Sequence, residues 1–257
     1  MQTLNARDKI GADEPTVAVL IDADNTPHPA VKYFLDASAR LGRIIIRRAY
    51  GDWTTPVLHP WATIFRDFAI KPVQQFQYTT RKNSTDAAMI IDALDILHDK
   101  SVDIFMLVAS DSDFTALATR IREEGIGVVG VGRSTTPSSF VKGCDQFILI
   151  ETILPSNEKE QLTPLQVVEH VDRTAAVGDI RVQGKDLLMR AAKQATDTEG
   201  FIFGSFLGIV LKRLDPSFAP SNYGVEKLAE FIGLFPDILI PTGKKSGLDP
   251  TYKLIAK

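Results

Sequence analysis

Acidic residues fall where a parallel sheet would gather them. Asp22 closes the apolar run Val17 to Ile21 inside the string Leu20-Ile-Asp-Ala-Asp-Asn25, and Asp111 and Asp113 follow a second run, Ile104 to Ala109. Asp86 stands in the first turn of a predicted helix whose far end feeds that second run. In an open parallel sheet, ligands bind outside the carboxyl ends of the strands. The first turn of a right-handed crossover helix lies at that same end, so Asp22, Asp86, Asp111 and Asp113 can share one site. Clustered carboxylates repel one another unless a cation neutralises them, and hard cations such as Mg²⁺ and Mn²⁺ prefer oxygen ligands. Such a site can activate water and stabilise the charge that develops on a phosphodiester during in-line attack. Any one of these acids alone reads more readily as a helix cap or a solvated turn residue. Four in register point to metal-assisted phosphoryl chemistry.

The elements that must position them follow from the apolar pattern. From about Thr16 to Glu151, short apolar runs alternate with helix-like stretches, the pattern of an α/β domain with a mainly parallel sheet. The predicted strands are Val17 to Ile21, Ile44 to Tyr50, Lys71 to Phe76, Ile104 to Ala109, Ile126 to Val131 and Phe147 to Ile150. Helices are expected at Pro29 to Leu41, Pro56 to Phe68, Thr85 to His98, Phe114 to Glu124 and Pro137 to Lys142. Ser84 or Thr85 can cap the third helix, and Gly125 suits the left-handed position that closes the fourth. A polar stretch at residues 152–161 reads as a linker, and residues 1–15 as a polar tail. Residues 162–257 are mostly helical in pattern. Thr163 can cap a helix with Pro164 at its first position, and further helices are expected at Gly184 to Ala195, Ser205 to Leu214 and Val225 to Leu234. Two short strands, Ile238 to Ile240 and Thr251 to Ile255, complete the outline of a winged helix-turn-helix.

Composition narrows the class. The 257 residues are 44% hydrophobic and 24% charged, globular values that exclude a disordered or fibrous chain. No apolar run is long enough to span a membrane and the first residues are polar, so a soluble, cytoplasmic protein with no membrane partner is expected. A single cysteine, Cys144, rules out an internal disulfide and a multi-cysteine zinc site. The four histidines lack HxxxH spacing, which gives zinc hydrolase chemistry no support. Gly127, Gly130 and Gly132 fall within or just after a strand instead of opening a helix, so a nucleotide cofactor is not indicated. The net charge of −3 at first opposes nucleic acid. Yet residues 1–155 carry 16 Lys and Arg against 19 Asp and Glu, so the whole surplus belongs to the part with the acidic cluster, where bound cations would offset it.

At these residues the chain resembles the NYN domain family, in its LabA-like branch of the PIN-type nuclease fold. The matching pieces are the start ending in Asp22 and Asn25, the segment Arg81-Lys-Asn-Ser-Thr-Asp86 leading into Ala-Ala-Met-Ile-Ile-Asp-Ala-Leu, the block Ala109-Ser-Asp-Ser-Asp-Phe114, and the later Gly-Val-Val-Gly-Val-Gly and Cys-Asp-Gln-Phe-Ile-Leu-Ile-Glu stretches. The resemblance covers roughly residues 16–151. It implies a PIN-like three-layer α/β/α sandwich, a metal site of Asp22, Asp86, Asp111 and Asp113, a ligand-orienting or phosphate-contacting role for Asn25, and ribonuclease activity. One departure is Ala109-Ser110 before the acidic pair, where many relatives carry Ser-Gly. Residues 162–257 resemble a second family, the LOTUS or OST-HTH domain, through Gly204 to Phe218, Ser221 to Gly224 and Lys227 to Phe231. That resemblance implies targeting by a separate unit that binds RNA or, as in some animal relatives, a helicase partner.

Other side chains are candidates for substrate contact. Arg81 and Lys82 could hold a phosphate near the metal, and Arg43, Arg47 and Arg48 could extend a basic rim, although loop cations are as often merely solvated. Trp53, at a strand end, is a candidate to stack on a base, whereas Trp61 reads as core. Tyr78 is a further aromatic candidate. In the C-terminal part Lys212, Arg213, Tyr223, Lys244 and Lys245 are candidate RNA contacts. Asp92, Asp95 and Asp99 recur at helical spacing and read as a solvated face. The expectation is a metal-dependent endoribonuclease acting on single-stranded RNA, with homodimerisation left open. A non-catalytic RNA-binding regulator is the alternative. Asp22-Ala-Asp24-Asn-Thr26 also mimics the DxDxT motif of haloacid-dehalogenase-like phosphatases, a reading that leaves Asp86 and Asn25 unexplained.

Overall fold

The computed structural model describes residues 14–76, 84–155, 173–246 and 249–255, excepting the side chains of residues 173–180 and 244–246. Compact units separate at Leu162 and Thr163. In the first, strands β1 (Thr16–Asp22), β2 (Arg43–Gly51), β3 (Lys71–Gln74), β4 (Ile104–Val108), β5 (Gly127–Gly132) and β6 (Gln146–Leu149) form one sheet in the order β3-β2-β1-β4-β5-β6. Every neighbouring pair is parallel. Chain direction reverses its march across the sheet between β1 and β4, which creates the switch point where such folds open a crevice.

Side-chain alternation builds two cores, one on each face. Val17, Val19 and Ile21 of β1 join Met106 and Val108 of β4 beneath α1 (Val31–Ser38), α2 (Trp61–Phe68) and α6 (Ile150–Ile153). Ala18 and Leu20 point the other way, with Phe105 and Leu107, against α3 (Ser84–His98), α4 (Thr115–Glu123) and α5 (Ser138–Gly143). The result is the expected α/β/α sandwich.

The expected strands and helices of this unit all occur, with boundaries shifted by a few residues. Single 3-10 turns at His28–Ala30, with Pro29 in second place, and Pro56–Leu58, opened by Pro56, stand ahead of α1 and α2. Gly125 takes φ +78° after α4, as its place past a helix end suggested.

The second unit holds α7 (Arg173–Ala195), β7 (Ile202–Phe203), α8 (Gly204–Leu214), α9 (Leu228–Gly233), β8 (Leu239–Ser246) and β9 (Asp249–Leu254). Its three strands pair antiparallel in the order β7-β9-β8, and Leu188, Ala192, Leu207, Leu211, Phe231 and Ile238 lie in its own core. Helix α7 begins eleven residues before the expected Gly184. That glycine is interior to the helix, where a Cβ would stand 2.6 Å from the Tyr223 ring and 3.3 Å from that of Phe235. The pairing of β7 was not anticipated, since two residues carry no readable period. The Thr163-capped helix, most of the linker and most of the N-terminal tail lie outside the described residues. Among the described residues, no helix is long and apolar enough to cross a membrane.

Candidate metal centre

Strand parity aims the first carboxylate. Asp22 is the last residue of β1 and shares the face of Ala18 and Leu20, the face covered by α3. On α3, Asp86 precedes the core residues Met89 and Ala93 by three and seven positions, so it faces the same layer one turn earlier. Beyond β4, Asp111 caps the 3-10 turn Ser112–Phe114, its Oδ1 accepting from the Asp113 amide at 3.1 Å and the Ser112 hydroxyl at 3.2 Å. Asp111 is therefore a helix cap and a member of the cluster at once. Carboxylate oxygens of Asp86, Asp111 and Asp113 all lie within 4.8 Å of one another.

Asp22 stands outside that trio, beside Asp86. Its side chain is 0% exposed. The Asn25 amide donates to its Oδ2 at 2.8 Å, whereas Oδ1 is buried with no hydrogen-bond partner. An orphaned, buried carboxylate oxygen is costly unless a proton or a cation meets it. Burial pushes the Asp22 pKa up to about 7; the Asn25 bond opposes this, and the charges of Asp86 and Asp24 add to it. Burial also raises Asp86 to about 6, reinforced by Asp111, Asp113 and Asp24. These groups resist ionising together, and a hard divalent cation is the ligand that such a set fits.

Three further residues were not singled out as site residues in the sequence. Asp24 accepts from the Thr85 hydroxyl at 2.8 Å and acts electrostatically on both Asp22 and Asp86. Its signal was the DxD spacing after β1, which suggested only the phosphatase motif. Ser110, the departure noted above, accepts from the Arg133 amide at 3.1 Å and so ties the exits of β4 and β5 together. Arg133, just past β5, shares a cavity of about 420 Å³ with Asp24, Asn25 and His28. No sequence motif marks it.

Other candidates lie elsewhere. Trp53 is half-buried, packed edge-on against Phe65 at 4.6 Å and near Trp61 at 6.2 Å, so its ring serves the aromatic layer over the α2 face. Arg43 opens β2 at the edge opposite the acids, Arg47 donates to the Phe68 carbonyl at 3.1 Å, and Arg48 pairs with Asp92. The basic rim expected of these three arginines is thus not formed. Asp92, expected on a solvated face, instead accepts from both Arg48 and the buried Tyr50 hydroxyl and ties α3 to β2. Tyr223 packs against Phe231 at 4.6 Å and Phe218 at 5.9 Å. Lys244 and Lys245 lie in β8, with side chains outside the description, and Tyr78, Arg81 and Lys82 lie outside the described residues.

An open parallel α/β sandwich with carboxylates gathered at its switch point places a potential cation site where ligands bind in such folds. Residues 16–151 match the NYN domain model, and the chain belongs to the NYN domain family of PIN-like nucleases. PIN-like nucleases generally use divalent metals, and NYN nucleases act on RNA. The chain is similar to a protein of unknown function from Vibrio parahaemolyticus whose crystal structure is known, at 21% identity and a TM-score of 0.46, covering 53% of this chain and 93% of that one. No curated protein matches the chain. The phosphatase alternative accounts for neither Asp86 nor the Asn25 bond, and the family match displaces it.

Proposed function

We propose that this chain is a metal-dependent endoribonuclease of the LabA-like branch, hydrolysing single-stranded RNA with Mg²⁺ or Mn²⁺ held by Asp22, Asp86, Asp111 and Asp113. The observation that carries the reading is the convergence of Asp86, Asp111 and Asp113 within 4.8 Å beside the orphaned Oδ1 of Asp22. A divalent cation bound there supplies charge neutralisation and lowers the pKa of water, making a nucleophile available at neutral pH. The chain's own residues supply the rest. Asn25 fixes the Asp22 carboxylate through Oδ2 and leaves Oδ1 without a protein donor. Thr85 holds Asp24 beside the cluster, and Asp111, by capping its turn, is positioned by backbone instead of by a free rotamer.

In this reading the C-terminal unit is a LOTUS or OST-HTH domain that holds RNA, with Lys212, Arg213, Tyr223, Lys244 and Lys245 as its candidate contacts. Helices followed by a β-hairpin, with Lys244 and Lys245 in the first strand of that hairpin, support it.

The test is cleavage of single-stranded RNA by the purified chain in Mn²⁺, with Asp111→Asn prepared in parallel. Wild-type protein is expected to cleave, and the variant to lose on the order of 10²-fold or more in rate while keeping its circular dichroism. Intact RNA with both proteins would leave the non-catalytic RNA-binding regulator in its place.

A further inference from the structure

The acids explain how a phosphodiester would be cut and leave open what holds the strand against them. The cavity beside the cluster has the chemistry for that. It is walled on one side by the turn that follows β1, with Asp24, Asn25 and His28, and on another by Arg133 and Thr135 beyond β5, with Val57 at its lip. At about 420 Å³ it lies within the range of small-ligand sites. Arg133 is the one Lys or Arg among its described lining residues, and no carboxylate of the described residues pairs with it. Burial lowers the His28 pKa, which favours the neutral imidazole.

The Arg133 backbone is held on both sides. Its amide donates to the Ser110 hydroxyl at 3.1 Å, and the next amide, of Ser134, donates to the Glu151 carboxylate at 3.0 Å. Neither bond uses the guanidinium. The side chain is thus mounted on a fixed turn with its donors uncommitted to any acid, the condition under which an arginine recognises phosphate with little ordering cost. Val57 is 82% exposed at the cavity's edge, an apolar contact for the flat face of a base or a sugar. Asp24 lines the cavity and also acts electrostatically on Asp86, so the cavity adjoins the acidic cluster.

We propose that this cavity is the subsite for the nucleotide flanking the scissile phosphate, with the Arg133 guanidinium holding that nucleotide's phosphate and Val57 packing against its base or sugar. The proposal rests on the ribonuclease reading for the identity of the strand, and its test separates the two.

Binding of a short single-stranded oligoribonucleotide to the full chain is measured over a salt series, in an Asp111→Asn background that prevents turnover. Arg133→Ala is expected to weaken binding about tenfold and to lower the slope of log K against log salt by about 0.7, the amount for one phosphate contact on a single strand. Arg133→Lys is expected to restore the slope, an outcome that a merely structural role would not produce. Arg40→Ala, a charge removed near the amino-terminal edge of the sheet, is expected to leave both nearly unchanged. Val57→Glu, at a position with no core to disturb, is expected to weaken binding at least as much as Arg133→Ala. Equal affinity and slope for wild type and Arg133→Ala, or no oligonucleotide binding at all, overturns the proposal. Wild-type cleavage in Mn²⁺ is scored separately: cleavage with a neutral Arg133→Ala sinks the subsite and keeps the nuclease, whereas a slope change without cleavage does the reverse.

Discussion

Burial withholds water from the ionised forms of Asp22 and Asp86, and neighbouring acids add repulsion, so both titrate well above an ordinary carboxyl group. In the folded, metal-free protein they hold protons more tightly than in the unfolded chain. The stability this contributes is complete below the unfolded pKa of about 4 and is lost as pH rises through about 6 to 7. Thermal melts of metal-free protein should therefore give a lower Tm at pH 8 than at pH 5, with a smaller drop in Asp22→Asn, which cannot ionise there. Adding Mn²⁺ at pH 8 should raise the wild-type Tm and move that of Asp22→Asn less. A wild-type Tm that is flat from pH 5 to 8 and indifferent to Mn²⁺ would remove the physical basis for the cation.

Elements set how far the carboxylates can wander. Strands β4, β5 and β6 must keep their registers for the β4 and β5 exits to meet through Ser110 and Arg133. Gly130 permits the closest part of that packing, since a Cβ there would stand 2.4 Å from the Phe147 ring and 2.8 Å from the Cys144 sulfur, both buried. Gly130→Ala should cost about 1–3 kcal/mol in chemical denaturation through overpacking. Gly233→Ala, at a helical position with nothing within 4 Å, should stay within about 0.5 kcal/mol of wild type. Equal effects from the two substitutions would mean that the β5–β6 contact has room for a methyl group at Gly130. The same scale explains Asp92: its helical spacing with Asp95 and Asp99 suggested a solvated stripe, but the face that α3 turns to β2 brings it to Arg48 and Tyr50. Helical period says which residues share a face and cannot say which neighbour that face meets.

At the scale of the molecule, two compact units share no core, the first having one on each face of its sheet and the second its own, and the acidic site lies in the first. If the second unit holds RNA, then Lys212→Glu with Arg213→Glu, two exposed residues of α8, should weaken oligoribonucleotide binding by about tenfold or more. The Mn²⁺-dependent rise in Tm should persist in that double variant. Loss of the Mn²⁺ response together with RNA affinity would show that metal and RNA binding do not divide between the units in this way.

The α/β class, the strand and helix order and the gathering of Asp86, Asp111 and Asp113 could be read from one dimension, because apolar period and the position of an acid after a strand are local properties. Asn25 could be read too, three residues from the carboxylate it holds. What the tertiary structure decided was separation and company. It set Asp22 apart from the trio while keeping it against Asp86, drew Asp24 in through Thr85, packed Trp53 into an aromatic layer, and dispersed the arginines of β2. Arg133 comes to the cavity beside Asp24 only because β5 lies beside β4 in the sheet, a pairing of residues 23 apart in the chain that no local pattern encodes.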